Sequence, residues 1–236
     1  IDVLFRRADI VHFQAIGPAS LIWIVKIFKP KTKVIFTFHC QDYYHQKWGW
    51  FARFYLRLGE VVGCRLADEV IVVSHNLADY VAQKYGREAK YIPNGVMITD
   101  KSVNSNILSQ LGLEPQGYIL AVTRLVKHKG LHYLIEAFHK LDSDSKLVIV
   151  GDGAHTDDYV NQLIKLAQAD PRIIFAGERS GNDLAQLFRG AKLFVQPSES
   201  EGLSIALLEA MAYGVPVLVS DIPGNLEAIG DYGWSF

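Results

Sequence analysis

The chain has 236 residues, of which 50% are hydrophobic and 21% are charged, and its formal net charge at pH 7 is −1. A length in this range fits one large hydrophobic core or two ordinary ones. The near-zero net charge excludes the broad basic surface that binds a nucleic-acid backbone, so no nucleic acid partner is expected, although local basic patches remain an alternative. The two cysteines, Cys40 and Cys64, give no framework of paired spacings, which favours a reducing compartment and, by default, the cytoplasm.

The first part of the chain alternates strand signals with longer amphipathic stretches. Apolar runs rich in Val, Ile and Phe predict strands at residues 8–13, 33–38, 69–73 and 89–92. The longest apolar run, residues 16–28, contains Pro18 and Lys26 and falls short of the roughly 20 residues that span a bilayer, so we expect a core helix there.

A polar stretch over residues 100–110 carries neither signal and predicts a linker, which we place at 99–116. Further strands are predicted at residues 117–122, 146–150, 172–176, 192–196 and 215–220. Continuous apolar strands that alternate with helices are typical of parallel sheets covered on both faces. The sequence therefore predicts an α/β fold with two doubly wound, Rossmann-like lobes facing a cleft, at residues 1–98 and 117–236, with ligands at the carboxyl ends of the strands.

The strongest motif is PSESEGLSIALLEAMAYGVPVL at residues 197–218, which predicts a strand, a tight turn and a helix. Gly202 would stand at the helix start, where free N–H groups and the positive end of the helix dipole attract phosphate oxygens. Glu201 and Glu209 are eight residues apart, about 12 Å along a helix, so one carboxylate could bind sugar hydroxyls and the other ribose hydroxyls. The alternative is a surface helix with two solvated glutamates.

The Glu-x7-Glu block resembles the signature of family 4 retaining glycosyltransferases of the GT-B fold. A second block, ILAVTRLVKHKGLHYLIEAF at residues 119–138, resembles that family's strand-loop-helix, in which an arginine and a lysine clamp the donor diphosphate; here they are Arg124 and Lys129. Two cations at a strand end can neutralise a leaving diphosphate without a divalent metal. Two solvated loop cations are the alternative.

The resemblance extends from about residue 10 to the C-terminus. Within the family, residues 45–74 are most similar to bacterial transferases of surface-polysaccharide assembly, including rhamnosyl- and N-acetylhexosaminyl-transferases. The resemblance implies that His39 is an active-site histidine and that Asp42 lies on the acceptor side. The alternative for His39 is a strand-end histidine whose imidazole is hydrogen-bonded within the protein and binds no ligand. It also implies further donor contacts, at Gly202, Leu203, Ser204, Gly151, Gly177 and Arg179.

Two other candidate ligand-binding patterns do not match known motifs, because the spacing of their residues is different. His39, Cys40, His45 and Cys64 match no common zinc pattern, so we expect no metal site. The Gly-x-Gly at residues 151–153 has Thr156 where a dinucleotide fingerprint needs its third glycine. We therefore expect no cofactor, only a nucleotide-diphosphate sugar as substrate and a saccharide or lipid-linked saccharide as acceptor.

An aromatic cluster, interleaved with Lys47, Arg53 and Arg57, precedes the third strand. Its members are Trp48, Trp50, Phe51, Phe54 and Tyr55. At helical spacing such a stripe predicts a core face. The alternative is an interfacial helix that makes a peripheral contact with the inner face of a membrane.

The resemblance favours a metal-independent, retaining glycosyltransferase that moves a hexose-type sugar to a hydroxyl. A non-catalytic nucleotide-sugar-binding protein and a nucleotide-sugar epimerase on the same fold are the alternatives. The chain opens IDVLFRRAD without an initiator methionine and ends at Gly233-Trp234-Ser235-Phe236, apparently within a strand, so we expect both lobes to be partial. Such a piece should bind nucleotide but transfer little sugar.

Overall fold

A computed structural model describes residues 5–44, 48–98, 105–153 and 156–236. The chain divides into two compact units, the first comprising Ile1–Asn94 and Glu201–Leu203, the second Gly95–Ser200 and Ser204–Phe236. No helix within the described ranges is long and apolar enough to cross a membrane. Cys40 and Cys64 are both free thiols.

The first unit is built on a parallel sheet with the order β1-β2-β3-β4. Its strands are β1 (Ile10–Gln14), β2 (Lys33–Phe38), β3 (Glu69–Val72) and β4 (Lys90–Tyr91). Its helices are α1 (Ile16–Ala19), α2 (Ile22–Phe28), α3 (Trp50–Leu66) and α4 (His75–Tyr85), and a 3₁₀ turn spans Asp42–Tyr44. All four predicted strands are present, with ends that differ by at most two residues.

The predicted core helix at residues 16–28 is wrong, because the run divides into α1 and α2. The amides of Ser20 and Leu21 bond the carbonyl groups three residues back, at Gly17 and Pro18, so the α-helical ladder is interrupted there. Only one face of α2 is buried, and the exposed fractions of Ile27 and Phe28 are 63% and 68%. Helix α2 is therefore apolar on both of its faces, although only one face is buried.

The predicted core stripe is wrong for the aromatic residues of α3, although Trp48, before the helix, packs against the core. The buried face of α3 consists of Leu56, Gly59, Glu60, Gly63 and Cys64. A Cβ atom on Gly59 would lie 1.9 Å from the carbonyl oxygen of Ile16, and one on Gly63 would lie 2.7 Å from the ring of Phe36. Only glycine permits this close packing, and the exposed rings of Trp50, Phe51 and Phe54 lie away from these contacts. Trp50 is 82% exposed.

The second unit contains a parallel sheet with the order β10-β9-β8-β5-β6-β7. Its strands are β5 (Tyr118–Val122), β6 (Lys146–Val150), β7 (Ile173–Gly177), β8 (Leu193–Gln196), β9 (Val217–Val219) and β10 (Trp234–Ser235). Its helices are α5 (Ile107–Gln110), α6 (Leu131–Phe138), α7 (Asp157–Ala167), α8 (Gly181–Gly190), α9 (Ile205–Ala212) and α10 (Pro223–Ile229), and a 3₁₀ turn spans Lys127–Lys129.

Strand β6 shows why this sheet is covered on both faces. Leu147 and Ile149 belong to one apolar cluster, whereas Val148 and Val150 belong to another, and all four are at most 1% exposed. Successive side chains of a strand point to opposite faces, so both faces are core. The predicted doubly wound α/β architecture is confirmed, and the strand order reverses between β5 and β8, a point where such sheets bind ligands.

Part of the predicted linker, residues 99–104, lies outside the described residues. Of the remainder, Ile107–Gln110 forms the helical turn α5, and Ile107 is buried in the core of the second unit. The lobe and linker bounds of 1–98, 99–116 and 117–236 stay a prediction.

Candidate functional site

A cleft of about 750 Å³ opens in the second unit at the carboxyl ends of β5, β6 and β7. It is lined by residues 122–124, 150–153, 178–179, 205–206 and 209. Four residues that the sequence predicted as donor contacts thus come together there: Arg124, Gly151, Arg179 and Glu209. The volume lies within the range of about 300 to 1,000 Å³ that small-molecule sites occupy.

Two arginines line the cleft, together with the carboxylates of Asp152, Glu178 and Glu209. Arg124 is exposed, whereas the Nε atom of Arg179 is buried and has no hydrogen-bond partner among the described residues. A buried cationic N–H without an acceptor carries a desolvation penalty that a ligand oxygen would relieve. Within this mixed lining, Arg179 and Arg124 therefore offer a position for an anion.

The loops that form the cleft pack backbone against backbone. The amide of Thr123 donates to the Val150 carbonyl at 2.9 Å, and the amide of Gly151 donates to the Gly177 carbonyl at 2.9 Å. Gly151 has a φ of 136°, and a Cβ atom there would lie 1.9 Å from the Thr123 carbonyl oxygen. Gly151 therefore shapes the cleft through its missing side chain.

Lys129 lies beside the cleft rather than in its lining. It ends the 3₁₀ turn Lys127–Lys129, and the next residue, Gly130, would place a Cβ atom 1.9 Å from the Pro197 carbonyl oxygen. The amide of Glu199 donates to the His128 carbonyl at 2.8 Å. These contacts fix the lysine turn against the loop that follows β8.

A buried polar chain fixes the start of α9. Ser204 Oγ accepts from the Leu207 amide at 3.4 Å and donates to Gln196 Oε1 at 2.7 Å, while Gln196 Nε2 donates to Asn225 Oδ1 at 2.6 Å. The helix therefore begins at Ile205, three residues later than Gly202. Glu201 precedes the helix, so the separation of about 12 Å that continuous helix would give does not apply.

Sequence reasoning missed Gln196 and Asn225, which are 4% and 0% exposed. A polar residue at the end of an otherwise apolar strand was the available signal for Gln196.

Glu209 lies in the second turn of α9, where burial raises the pKa of its carboxyl above the ordinary value of 4.5.

A separate group of polar side chains lies at the carboxyl ends of β1 and β2 in the first unit. His39 Nε2 and Gln14 Oε1 are 2.7 Å apart, and His12 Nε2 lies 2.7 Å from Thr37 Oγ1. Burial lowers the pKa of His39 below 6.5, which keeps the imidazole neutral near pH 7. Sequence reasoning missed Gln14 and His12, whose two-residue spacing on a strand was the signal that places them on one face.

Two further predicted residues also lie in the first unit. Asp42 opens the 3₁₀ turn that follows β2, and Cys40 Sγ donates to its Oδ1 atom at 3.1 Å. A Cβ atom on Gly202 would lie 1.8 Å from the His39 carbonyl oxygen, and the Leu203 carbonyl accepts from Asn94 Nδ2 at 3.0 Å. The segment Glu201–Leu203 is therefore described with this unit.

Comparison with known proteins shows to which family the chain belongs. The profile of the group 1 glycosyl transferases matches residues 104–235, and that of glycosyltransferase family 4 matches residues 2–99. The chain belongs to the glycosyl transferases group 1 family. The predicted family and its GT-B fold are confirmed.

Three proteins that are similar to this chain are informative. An uncharacterized glycosyltransferase of Methanocaldococcus jannaschii is 34% identical over 68% of the chain and 44% of its own length. The O-antigen biosynthesis glycosyltransferase WclY of Escherichia coli is 26% identical over 94% of the chain and 64% of its own. Anabaena HepE, solved in complex with UDP and glucose, is 25% identical with a TM-score of 0.81 over 96% of the chain and 64% of HepE. The chain thus spans less than two thirds of each.

Proposed function

We propose that the chain is part of a nucleotide-sugar-dependent glycosyltransferase of bacterial surface-polysaccharide or glycolipid synthesis. It would move a hexose-type sugar from a nucleotide diphosphate to a hydroxyl of a saccharide or lipid-linked saccharide, with retention at the anomeric carbon. The main support is the cleft at the strand ends of the second unit, where the buried Arg179 Nε atom has no acceptor among the described residues. The family, the O-antigen relative and the HepE complex agree with it.

In this proposal Arg124, Arg179 and the N-terminal turn of α9 bind the diphosphate, and Lys129 adds charge from its neighbouring turn. Negative charge develops on the leaving diphosphate in the transition state, so fixed cations and helix N–H groups stabilise the step itself. Glu209 accepts hydrogen bonds from ribose hydroxyls. The leaving phosphate takes the acceptor proton, because no carboxylate of the chain is assigned as a nucleophile.

The remaining roles rest on the resemblance. Glu201 and His39 are assigned to the donor sugar and Asp42 to the acceptor, while Gly177 borders the base pocket. The neutral imidazole of His39 agrees with a hydrogen-bonding role. Independence of divalent metal and a cytoplasmic location are part of the same proposal, and chelation with EDTA should leave nucleotide affinity unchanged.

Calorimetric titration with UDP, GDP and dTDP tests the binding step. Arg124→Ala should weaken nucleotide binding by about tenfold or more, since it removes a charge-assisted contact. Lys192→Ala is the matched control, because this exposed cation precedes β8 and thus stands at the opposite edge of the sheet. Equal affinities for the two variants would contradict the diphosphate assignment.

A product assay with labelled nucleotide sugar tests the chemistry. Transfer of label to an added saccharide acceptor supports the proposal. Epimerised donor would indicate an epimerase, and unchanged donor with tight binding would indicate a binding protein. The assay uses the full-length protein beside the 236-residue chain, so that loss of transfer in the short chain alone is recognised.

A further inference from the structure

A glutamine at the carboxyl end of β1 contacts the imidazole of His39. His39 Nε2 and Gln14 Oε1 are 2.7 Å apart, within the normal range of an N–H···O hydrogen bond. Gln14 pairs with Thr37 in the register of β1 and β2, and His39 stands two residues after Thr37. Alternate residues of a strand share one face of the sheet, so the side chains of Gln14 and His39 meet on the same face.

The other end of the Gln14 amide is also in contact. Its Nε2 atom lies 3.1 Å from Nε2 of His12, the residue two positions earlier on β1. His12 Nε2 in turn lies 2.7 Å from Oγ1 of Thr37, which is a buried residue of β2. The amide oxygen therefore faces His39 while the amide nitrogen faces His12.

The backbone that follows Gln14 has an unusual conformation. Ala15 has a φ of 67° and a ψ of 164°, a region that residues with a Cβ atom rarely adopt. The Ala15 amide donates to the Thr37 carbonyl at 3.0 Å, so bonding to β2 continues to this residue. Backbone strain of this kind persists only where the surrounding structure fixes the conformation. The end of β1 therefore has a fixed position, and Gln14 is the last residue of that strand.

The contact determines which nitrogen of His39 carries the proton. An amide oxygen accepts hydrogen bonds and donates none, so the bond requires a proton on Nε2. The neutral ring has one such proton, which leaves a lone pair on Nδ1. The structure records no hydrogen bond at Nδ1 of His39 with any described residue. That atom is therefore an acceptor that a ligand hydroxyl could use.

We propose that Gln14 is a positioning residue, which fixes His39 in the tautomer with the proton on Nε2 and presents Nδ1 as the acceptor for a hydroxyl of the donor sugar. The role of the sugar hydroxyl rests on the proposed function, whereas the tautomer does not. An amide turned the other way, with its nitrogen toward His39, would require the proton on Nδ1. The two orientations thus predict opposite tautomers.

Nitrogen NMR of the imidazole rings tests the tautomer without any sugar. Near neutral pH, His39 of the chain should have a protonated Nε2 and an unprotonated Nδ1. Gln14→Leu removes the acceptor, so the form with the proton on Nδ1 should appear. Gln83→Leu is the matched control, because Gln83 is an exposed glutamine on α4 of the same unit, and it should leave the His39 signals unchanged.

A charge at position 14 gives a second readout. Gln14→Glu places a carboxylate beside the ring and should raise the pKa of His39 by about one pH unit or more. The other ionisable groups around His39 are Asp42 of the 3₁₀ turn, His12 of β1, and Glu201 in the loop that packs against the His39 carbonyl. All three are present in every variant, so the difference reports on position 14. Gln83→Glu adds the same charge elsewhere and should leave the pKa of His39 unchanged.

Sugar transfer by the full-length protein tests the role of the tautomer. Gln14→Leu should lower kcat on the order of tenfold and leave the affinity for the nucleotide diphosphate unchanged, because it misplaces only the imidazole. Gln14→Glu keeps an acceptor for Nε2–H, so it should retain transfer above the raised pKa of His39 and lose it as the pH falls through that value. A purely structural role would not move the acid limb of the rate profile together with this pKa.

Three results would overturn the proposal: a proton on Nδ1 of His39 in the unaltered chain, a His39 pKa that Gln14→Glu leaves unchanged, or an acid limb that does not follow the pKa. Thermal unfolding of the Gln14 variants, compared with that of the Gln83 variants, shows whether each is folded. Absence of transfer in the unaltered full-length protein would contradict the proposed function, and the NMR result would still decide the tautomer.

Discussion

Gly130 and Gly177 have the same backbone conformation but different surroundings. Both have a φ of 69°, yet a Cβ atom on Gly130 would lie 1.9 Å from the Pro197 carbonyl oxygen, whereas one on Gly177 would meet nothing within 4 Å. Gly177→Ala should therefore cost only the left-handed strain, about 1 to 2 kcal/mol of unfolding free energy. Gly130→Ala adds a backbone clash and should cost at least about 1 to 3 kcal/mol more.

Urea unfolding of the two alanine variants measures this difference. Because Gly130 follows the turn of Lys129, its substitution should also lower nucleotide affinity more than Gly177→Ala does. Equal destabilisation of the two variants would show that the contact with Pro197 is not tight in solution.

Glu209 should make nucleotide binding depend on pH. Burial raises the pKa of its carboxyl above 4.5, and only the carboxylate accepts two hydrogen bonds from ribose hydroxyls. Affinity should therefore be full above the raised pKa and fall as the pH drops through it, with proton release on binding in that range. Glu209→Gln should remove this part of the pH profile, and a profile unchanged by the substitution would contradict the ribose assignment.

The site residues differ in whether the sequence alone could identify them. Arg124 and Glu209 stand in motifs whose order along the chain places them at strand ends, so sequence alone brought them near the cleft. Local patterns mark Gln14 and Gln196 only as polar residues of strands, and their hydrogen bonds with His39 and Asn225 became visible only in the structure, because these partners are 25 and 29 residues away. A hydrogen bond between such side chains depends on strand order and register, which no local pattern encodes.

At the scale of elements, a buried carboxylate ties α3 to α4. Burial alone would raise the pKa of Glu60, but hydrogen bonds from Lys84, Tyr85 and Tyr80 hold it below the usual value. The three donors lie 2.8, 2.6 and 2.7 Å from Glu60 Oε1. Since the pKa is lowered in the folded state, the stabilisation is complete above pH 4.5 and is lost as the pH falls through the lowered value.

Glu60→Ala should destabilise the first unit by about 1 to 3 kcal/mol, because it removes the shared acceptor of the half-buried Tyr80 and Tyr85 hydroxyls and of the Lys84 ammonium, whose side chain is 46% exposed. Hydrogen exchange at the amides of β2 reports on that unit separately from the second. Glu88→Ala, which removes an exposed carboxylate, is the control and should have little effect. Exchange protection that is equal in the two variants would refute a structural role for Glu60.

Strand positions were largely predictable, whereas helix orientation was not. Strands β2 and β6 match the predicted 33–38 and 146–150 to the residue, because buried parallel strands are continuous apolar runs. The direction of α3 was predicted wrongly because hydrophobicity favours the aromatic stripe as the core face. The close approach of Gly59 to Ile16, a tertiary contact, decided the opposite.

At the scale of the whole molecule, the elements proposed to bind the nucleotide lie in one unit. Arg124, Gly151, Arg179 and Glu209 line one cleft of the second unit, which also contains a second, apolar cavity of about 350 Å³. That cavity lies between α6 and the sheet, with Phe138, Leu141 and Phe236 in its walls. The two cavities differ in chemistry, because charged residues line one and apolar residues line the other, so the place where a nucleotide binds distinguishes the proposed function from adventitious apolar binding.

The most direct test is amide NMR of the chain during titration with UDP, GDP and dTDP. Binding in the cleft should give saturable shifts at Gly151, Gly177 and Glu209 with at least one of the three nucleotides, and little change at Leu141 and Phe236. Saturable shifts at Leu141 and Phe236 instead, or no saturation with any nucleotide diphosphate, would contradict the assignment of the cleft as the donor site.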